Sequence, residues 1–220
     1  MRMRKKAWAR PELAQCPYFV EHPAEQKGRW AQWFPKKQPL HLELGCGKCT
    51  FTAALAAANP DINYIAIDIS WDVLGVARRN FEAQYQAIQQ PVDNVALLAY
   101  DSEEILKVLD NADRVEKLYI NFCNPWPKAR HHKKRLTHSS LLERYKTFMA
   151  PGAELHFKTD DDDLYLATLR YFTQSGLEIL WKTTDLHNSP DSPQCPFTTE
   201  HEDRFAAQGI PIKAVVARFP

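Results

Sequence analysis

The residues of this chain best suited to chemistry are acids, amides and glycines that close short apolar runs. Glu43-Leu44-Gly45-Cys46-Gly47-Lys48-Cys49 completes the run LHLEL (40–44) and leads into the helical stretch TFTAALAAA. Gly45 and Gly47 let the backbone turn tightly and approach a ligand. Asp68 ends a second apolar run, NYIAID, where its carboxylate can accept hydrogen bonds from both hydroxyls of a ribose. A glycine loop and an acid in this relation serve a dinucleotide or S-adenosylmethionine. Dinucleotide loops follow G-x-G-x-x-G, with the pyrophosphate on the helix start. Here position 50 is Thr, and Glu43 would stand close to any phosphate. A carboxylate at that point favours a cationic ligand, such as the ammonium or sulfonium of S-adenosylmethionine. Asp101 ends a third run and can accept from an adenine amino group, or serve as the N-cap of Ser102-Glu103-Glu104.

A second group follows the fourth run. NFCNPWPKARHHKKRL (121–136) combines a proline turn, an amide, an aromatic ring and a row of cations. Asn124-Pro125-Trp126-Pro127 is similar to the N/D-P-P-aromatic turn of enzymes that methylate exocyclic amines. In those enzymes the amide or acid and a proline carbonyl accept from the base's amino group. Here the second proline is displaced by one residue. Trp126 can stack on a base drawn out of an RNA fold or pack in the core. Asp160 ends the fifth run, and Asp161 to Asp163 extend it as acids suited to a helix start. Thr199-Glu200-His201-Glu202 contains the T-x-x-E of a capping box. His131 and His132 sit in no metal-ligand spacing, and Cys46-x-x-Cys49 has no second close cysteine pair, so no metal is expected.

Elements of a particular kind must hold these residues. The apolar runs 40–44, 63–68, 94–100, 115–123, 153–159, 177–183 and 212–219 read as strands. Helical stretches at 50–58, 71–90, about 102–109, 138–149, 161–175 and 199–208 separate them. Repeated strand–helix units of this length imply an α/β fold, a seven-stranded and mostly parallel sheet with helices on both faces. Ligands of such sheets bind beyond the carboxyl ends of the strands. Those ends are where Glu43 to Lys48, Asp68, Asp101, Asn124 and Lys158 to Asp160 fall. Pro151-Gly152 is expected to break the chain before the fifth strand. The first 35 residues, with Pro11, Pro17, Pro23 and Pro35, read as an irregular arm or cap. The expected organisation is one domain over 1–220, a basic arm at 1–35 and a catalytic core at 36–220.

Composition narrows the function class. The 220 residues suffice to bury roughly 70% of the unfolded surface. The five cysteines, Cys16, Cys46, Cys49, Cys123 and Cys195, are odd in number and irregularly spaced, unlike a disulfide framework. No apolar run is long enough to span a membrane, and the basic N-terminus lacks a signal-peptide core, so a cytoplasmic protein is expected. The net charge of +1 hides an asymmetry. Arg2, Arg4, Lys5, Lys6 and Arg10 form one basic cluster; Lys128, Arg130, Lys133, Lys134 and Arg135 form another. The remaining chain carries a net charge of −9. Two basic patches, each beside a tryptophan (Trp8, Trp126), on an otherwise acidic chain point to RNA.

These motifs together resemble one family, the bacterial tRNA (guanine-N7)-methyltransferases. The family pattern at the fourth strand is close to NF-x-DPWPK-x-RH-x-KRRL. The likeness continues through MRMRKK-W-ARPEL, LHLELGCGK, INYIAIDIS, LHFKTD, DLH at 185–187, and TEHEDRF followed by GIPI. It covers nearly the whole chain. The resemblance implies a Rossmann-like class I methyltransferase of cytoplasmic tRNA, monomer or homodimer. Its reaction is transfer from S-adenosylmethionine to N7 of guanine 46 in the variable loop. Carried over by position, Glu43, Asp68 and Asp101 match cofactor contacts, beside Gly45 and Gly47. Asn124 matches the catalytic aspartate, which also adjoins the cofactor. Lys128, Asp160 and Thr199 to Glu202 (Thr199, Glu200, His201, Glu202) match substrate contacts. Two residues depart from the pattern. Cys49 replaces a third glycine, and Asn124 replaces the aspartate. A neutral amide stabilises the cationic transition state less well than a carboxylate, and such a loss typically costs about 10²–10³ in rate. The alternatives to an active N7 enzyme are a tRNA-binding paralogue with little turnover and an exocyclic-amine methyltransferase.

Overall fold

Continuous apolar runs need burial on both faces, and in the computed structural model of this chain β1 (Leu40–Leu44), β2 (Asn63–Asp68) and β3 (Val95–Ala99) are buried along almost their whole length. The structure describes residues 5–193 and 196–220, which leaves Arg2, Arg4 and Cys195 outside it. Seven strands among the described residues form a mixed sheet. The chain divides into two compact units, residues 1–113 and 114–220.

In the first unit the strands run parallel in the order β3-β2-β1. Leu44 pairs with Ile67 and Asp68 with Ala99, so the three carboxyl ends finish side by side. α3 (Thr50–Ala58) and α4 (Trp71–Ala87) are the crossover helices. α4 is three residues shorter than its composition predicts, and Gln89 turns the chain in the left-handed region just beyond it. Buried Asn94 secures the turn between α3 and β2. Its Nδ2 donates to the carbonyls of Ala56, Asn59 and Ile62 at 3.2, 3.3 and 2.9 Å, and its Oδ1 accepts from the Tyr85 hydroxyl. The short helix expected near 102–109 is a 3₁₀ turn over Ser102–Lys107.

The expectation of an irregular first 35 residues is corrected. They contain α1 (Ala9–Ala14), a 3₁₀ turn (Pro23–Gln26) and α2 (Trp30–Trp33). Tyr18 to Val20 run beside β3, with Leu97 N–H donating to the Tyr18 carbonyl at 2.8 Å. Trp30 is fully buried, and its indole N–H donates to the Val108 carbonyl at 2.8 Å. α1 lies against α4. Arg78 and Arg79 of α4 both bind the carboxylate of Glu12, and the Arg79 guanidinium lies 3.7 Å from the Trp8 ring centroid. The prolines mask these short helices because they are tolerated in a first turn, where Pro11 stands in α1 and Pro23 opens the 3₁₀ turn.

In the second unit β4 (Val115–Asn121), β5 (Met149–Thr159), β6 (Glu178–Thr183) and β7 (Lys213–Arg218) lie in the order β4-β5-β7-β6. β4 and β5 are parallel; β7 is antiparallel to both β5 and β6. The helices are α5 (Ser139–Tyr145), α6 (Asp162–Gln174) and α7 (Glu200–Ala206). Pro151-Gly152 does not end the strand. β5 begins at Met149, and the pairing with β4 shifts register between Val115 and Lys117, with Gly152 at φ +77°. Such an irregularity accommodates a proline that a regular ladder would reject.

The α1–α4 crossing depends on Gly75, where an added Cβ would lie 2.6 Å from the Ala9 Cβ. Gly75→Ala gains about 1 kcal/mol of helix propensity and loses about 1–3 kcal/mol to overpacking. A net fall of a few degrees in Tm is expected by calorimetry. A raised Tm would mean that α1 yields without cost.

Candidate active site

In the first unit the site is assembled by the turn that follows β1. The N–H groups of Gly45 and Cys46 both donate to the Ile67 carbonyl, at 2.9 and 3.0 Å. Gly45, Gly47 and Cys49 then take φ of +73°, +55° and +54°. Glycine adopts this region freely, whereas Cys49 occupies it at a cost. Gly47 N–H donates to Asp68 Oδ2 at 3.0 Å, and Ser70 N–H donates to Oδ1 at 2.9 Å. Burial raises the Asp68 pKa, and the N–H bonds from Ser70, Gly47 and Ile69 oppose the rise. A carboxylate has about four acceptor positions, so Asp68 retains capacity for a ligand. A Cβ at Gly47 would meet nothing within 4 Å, so the loop faces open space there.

Glu43 is buried inside β1 at 3% exposure and accepts a hydrogen bond from the Thr52 hydroxyl of α3. Asp101 is exposed and accepts from Glu103 N–H at 2.9 Å, which makes it the N-cap of the 3₁₀ turn. Sequence reasoning missed Ile69. It follows Asp68 and is 67% exposed, an apolar side chain presented to solvent beside a half-buried acid. The signal was available: an isoleucine placed just past the end of its strand. Cys46 and Cys49 are both buried, and burial raises both thiol pKa values. Among the described residues no group of three or more His, Cys, Asp or Glu is arranged to hold a metal ion.

In the second unit the loop after β4 is held from within. Asn124 is exposed, and its Oδ1 accepts the N–H of Trp126 at 3.0 Å in an Asx turn. Trp126 sits at φ +44°. Its ring stacks on His131 with centroids 5.6 Å apart and planes 16° apart, and the Lys134 ammonium lies 5.5 Å from its centroid. Trp126 is therefore half-buried against His131 and Lys134 rather than packed in the core. Arg135 is a correction to the expected phosphate-binding row. It is buried, and its guanidinium donates to the Pro125 carbonyl at 2.8 Å and the Trp126 carbonyl at 3.5 Å. The exposed cations of the loop are Lys128, Arg130, Lys133 and Lys134.

Asp160 is half-buried directly after β5, and its carbonyl accepts from the Lys213 ammonium at 3.0 Å. The cap of α6 is Asp161, whose Oδ1 accepts Leu164 N–H at 2.6 Å, so the Asp160 side chain is not spent on capping. Thr199 caps α7 through Glu202 N–H at 3.0 Å. The Glu202 carboxylate is drawn inward instead of closing the box. It pairs with Lys158 of β5 at 3.1 Å, each side chain 2% exposed, and His187 Nε2 lies 3.6 Å from its other oxygen. Glu200 and His201 are exposed on the first turn of α7, where the His201 ring stacks over Phe122.

Residues 37–215 match a family model described as "Putative methyltransferase". Proteins named tRNA (guanine-N(7)-)-methyltransferase are similar over nearly their whole length. The one from Clostridium beijerinckii is 52% identical, over 99% of this chain and 98% of its own. The one from Acetivibrio thermocellus is 44% identical, over 99% of each chain. The chain belongs to the bacterial tRNA (guanine-N7)-methyltransferase family. Among solved structures, the 16S rRNA methyltransferase KamB superposes with a TM-score of 0.59 at 12% identity, over 99% of this chain and 96% of that one. An antibiotic-related methyltransferase gives 0.58 at 15% identity, again over 99% and 96%. At such identities the likeness concerns the fold, the Rossmann-like α/β fold of class I methyltransferases.

Two tests follow for this family member. Lys158→Met strands the buried Glu202 carboxylate and should lower unfolding stability in urea by about 3–5 kcal/mol, much of which Glu202→Leu in the same chain should restore. A fully additive double variant would show that the pair does not act as one. At pH 8, Cys46, Cys49 and Cys123 should resist iodoacetamide in the native protein and react on unfolding, because burial holds their pKa values up, that of Cys123 to about 12. Peptide mass mapping reads this directly, and rapid native labelling would contradict it.

Proposed function

We propose that the chain transfers a methyl group from S-adenosylmethionine to N7 of guanine 46 in the variable loop of tRNA, acting as one methyltransferase domain in the cytoplasm. The observation that carries the choice of N7 over an exocyclic amine is the near full-length similarity, at 52% and 44% identity, to proteins named tRNA (guanine-N(7)-)-methyltransferase. An amine methyltransferase turns an amide oxygen and a proline carbonyl to the base. Here each of these already holds a donor of the loop itself, Asn124 Oδ1 the Trp126 N–H and the Pro125 carbonyl the Arg135 guanidinium, which leaves one lone pair on each. Guanine N7 offers a lone pair and no proton, so its reaction needs neither acceptor nor general base. The names borne by the close relatives agree with this reading.

The residues of the first unit fit an adenosine-type ligand. In this reading Asp68 binds the ribose hydroxyls, exposed Ile69 covers a face of the purine, and Asp101 accepts from its amino group. Gly45 and Gly47 bring the backbone close, and Glu43, buried beside Thr52, favours the cationic end. When bound, S-adenosylmethionine supplies a methyl on a sulfonium: the sulfur keeps the C–S electron pair, N7 donates its own, and the positive charge passes to the purine. Asn124 stands at the transfer point. Lys128, Asp160, Thr199, Glu200 and His201 orient the guanosine, and Glu202, held by Lys158, anchors the helix start that presents them. Lys5, Lys6, Arg10 and the exposed cations of the 128–134 loop bind phosphates.

Labelled S-adenosylmethionine and bulk tRNA test this, with the product mapped by cleavage selective for 7-methylguanosine. Label at N7 of the variable-loop guanine is the expected outcome. Label on an exocyclic amine, or bound tRNA without turnover, would overturn it. Affinity for tRNA should also fall by about 10³ between roughly 50 and 200 mM salt, and a flat response would remove the phosphate role of the basic clusters.

A further inference from the structure

Trp126 is held where a bulky residue is costly. Its φ of +44° lies in the left-handed region, and such strain persists only where the surroundings fix it, often at functional sites. Asn124 Oδ1 fixes it here by accepting the Trp126 N–H, which ties the ring to the proposed transfer point. The indole is half-buried, and planar and charged groups gather on it. The His131 ring lies 5.6 Å away with its plane 16° off parallel, and the Lys134 ammonium lies 5.5 Å from the ring centroid. His131 Nε2 accepts from Arg130 Nε at 3.0 Å, so the stacked ring is a neutral imidazole. It belongs to a 3₁₀ turn, Ala129–Lys134, in which no residue is buried. A purine offers the same indole surface a larger ring.

The chemistry of N7 gives such a platform a use. The N7 lone pair lies in the plane of the purine, so a ring against the purine face leaves the reacting atom open. As N7 gives its lone pair to the methyl carbon, the C–S pair returns to sulfur and the purine takes up the positive charge. The face of an indole is negative and attracts a cation more than a neutral ring. A contact that strengthens as charge develops accelerates the step; one equally strong throughout does not. Resting on the N7 reading above, we infer that Trp126 is a catalytic residue. Its ring takes the guanine in the place that His131 fills in the free protein and stabilises the charge that methylation develops there. Lys134, like the other exposed cations of its loop, turns to phosphate in that complex and leaves the ring to the purine.

Wild type, Trp126→Leu, Trp126→Phe and His131→Ala are each titrated, without cofactor, with a tRNA carrying guanine and with the same tRNA carrying 7-methylguanine at the reacting position. Mildly acidic buffer keeps the methylated base a cation. The readout is the ratio of the two affinities within each protein, so any effect of the methyl group on the tRNA fold cancels between proteins. Single-turnover rates at saturating tRNA are measured alongside. Trp126→Leu should lower the preference for the charged base by about 3–30-fold relative to wild type, and the single-turnover rate by a similar factor. Trp126→Phe keeps a ring with a weaker negative face and should fall between. His131→Ala should keep both the preference and the rate, because it only clears the platform. Equal losses of both affinities in Trp126→Leu, with the ratio unchanged, would overturn the inference, since a ring that merely shapes the loop acts on both bases alike. So would a His131→Ala variant as impaired as Trp126→Leu. If wild type binds the guanine tRNA and cofactor but methylates no N7, the N7 reading itself falls and takes this assignment with it.

Discussion

The parallel pairing of β1 with β2 is the constraint on which the first half of the site depends. It aligns Leu44 with Ile67, so the chain leaving β1 meets the Ile67 carbonyl and spends the N–H groups of Gly45 and Cys46 on it. The next N–H, from Gly47, reaches the Asp68 carboxylate. A one-residue slip would turn every side chain of β1 to the other face and carry Glu43 away from Thr52. The glycine loop and the acid that define the candidate cofactor site are therefore consequences of a single register. Buried apolar faces set that register before any ligand arrives.

In the second unit the comparable role belongs to Arg135. By type it reads as one more cation in a phosphate-binding row. Buried as it is, it holds two carbonyls of the turn and so supports a loop with no regular pairing of its own. Lys158 and Glu202 show the same division. Both carry charges that could face a substrate, yet each is buried against the other, so α7 is anchored to β5 by an ion pair. Breaking a buried pair costs far more than forming it contributes, because the remaining charge is left without water. Such pairs specify geometry more than they add stability. Here they hold the helix start that presents Glu200 and His201.

Much of this was legible beforehand. The strands β1 and β2 and the helix α3 fall on the residues expected of them, since uninterrupted apolar runs and an alanine-rich stretch leave few alternatives. Glu43, the two loop glycines and Asp68 stood out because polar residues that end buried strands emerge at the ligand-binding edge. The N-terminal segment is more ordered than its sequence suggests. Its prolines signalled irregularity, while its order comes from long-range contacts: Trp30 on Val108, Tyr18 on Leu97, and Glu12 on two arginines of α4. No local pattern encodes those. Ile69 is a different case: its place just past the end of a strand is a local signal, but an isoleucine beside an apolar run reads as core until its exposure is seen.

Residue types and their order determined the fold class, the family and the identity of the candidate site residues, because these follow from hydrophobic periodicity and from short motifs that tolerate little change. Tertiary structure decided how each side chain is used. It turned Arg135 and Glu202 from surface charges into internal supports and divided the acids of the 160–163 run into a cap and an uncommitted side chain. It also engaged the oxygen of Asn124 with the Trp126 N–H, so that the amide helps to build the loop that carries it. Hydrogen-bond partners and burial depend on chain segments far apart in sequence, and so become defined only when the chain has folded.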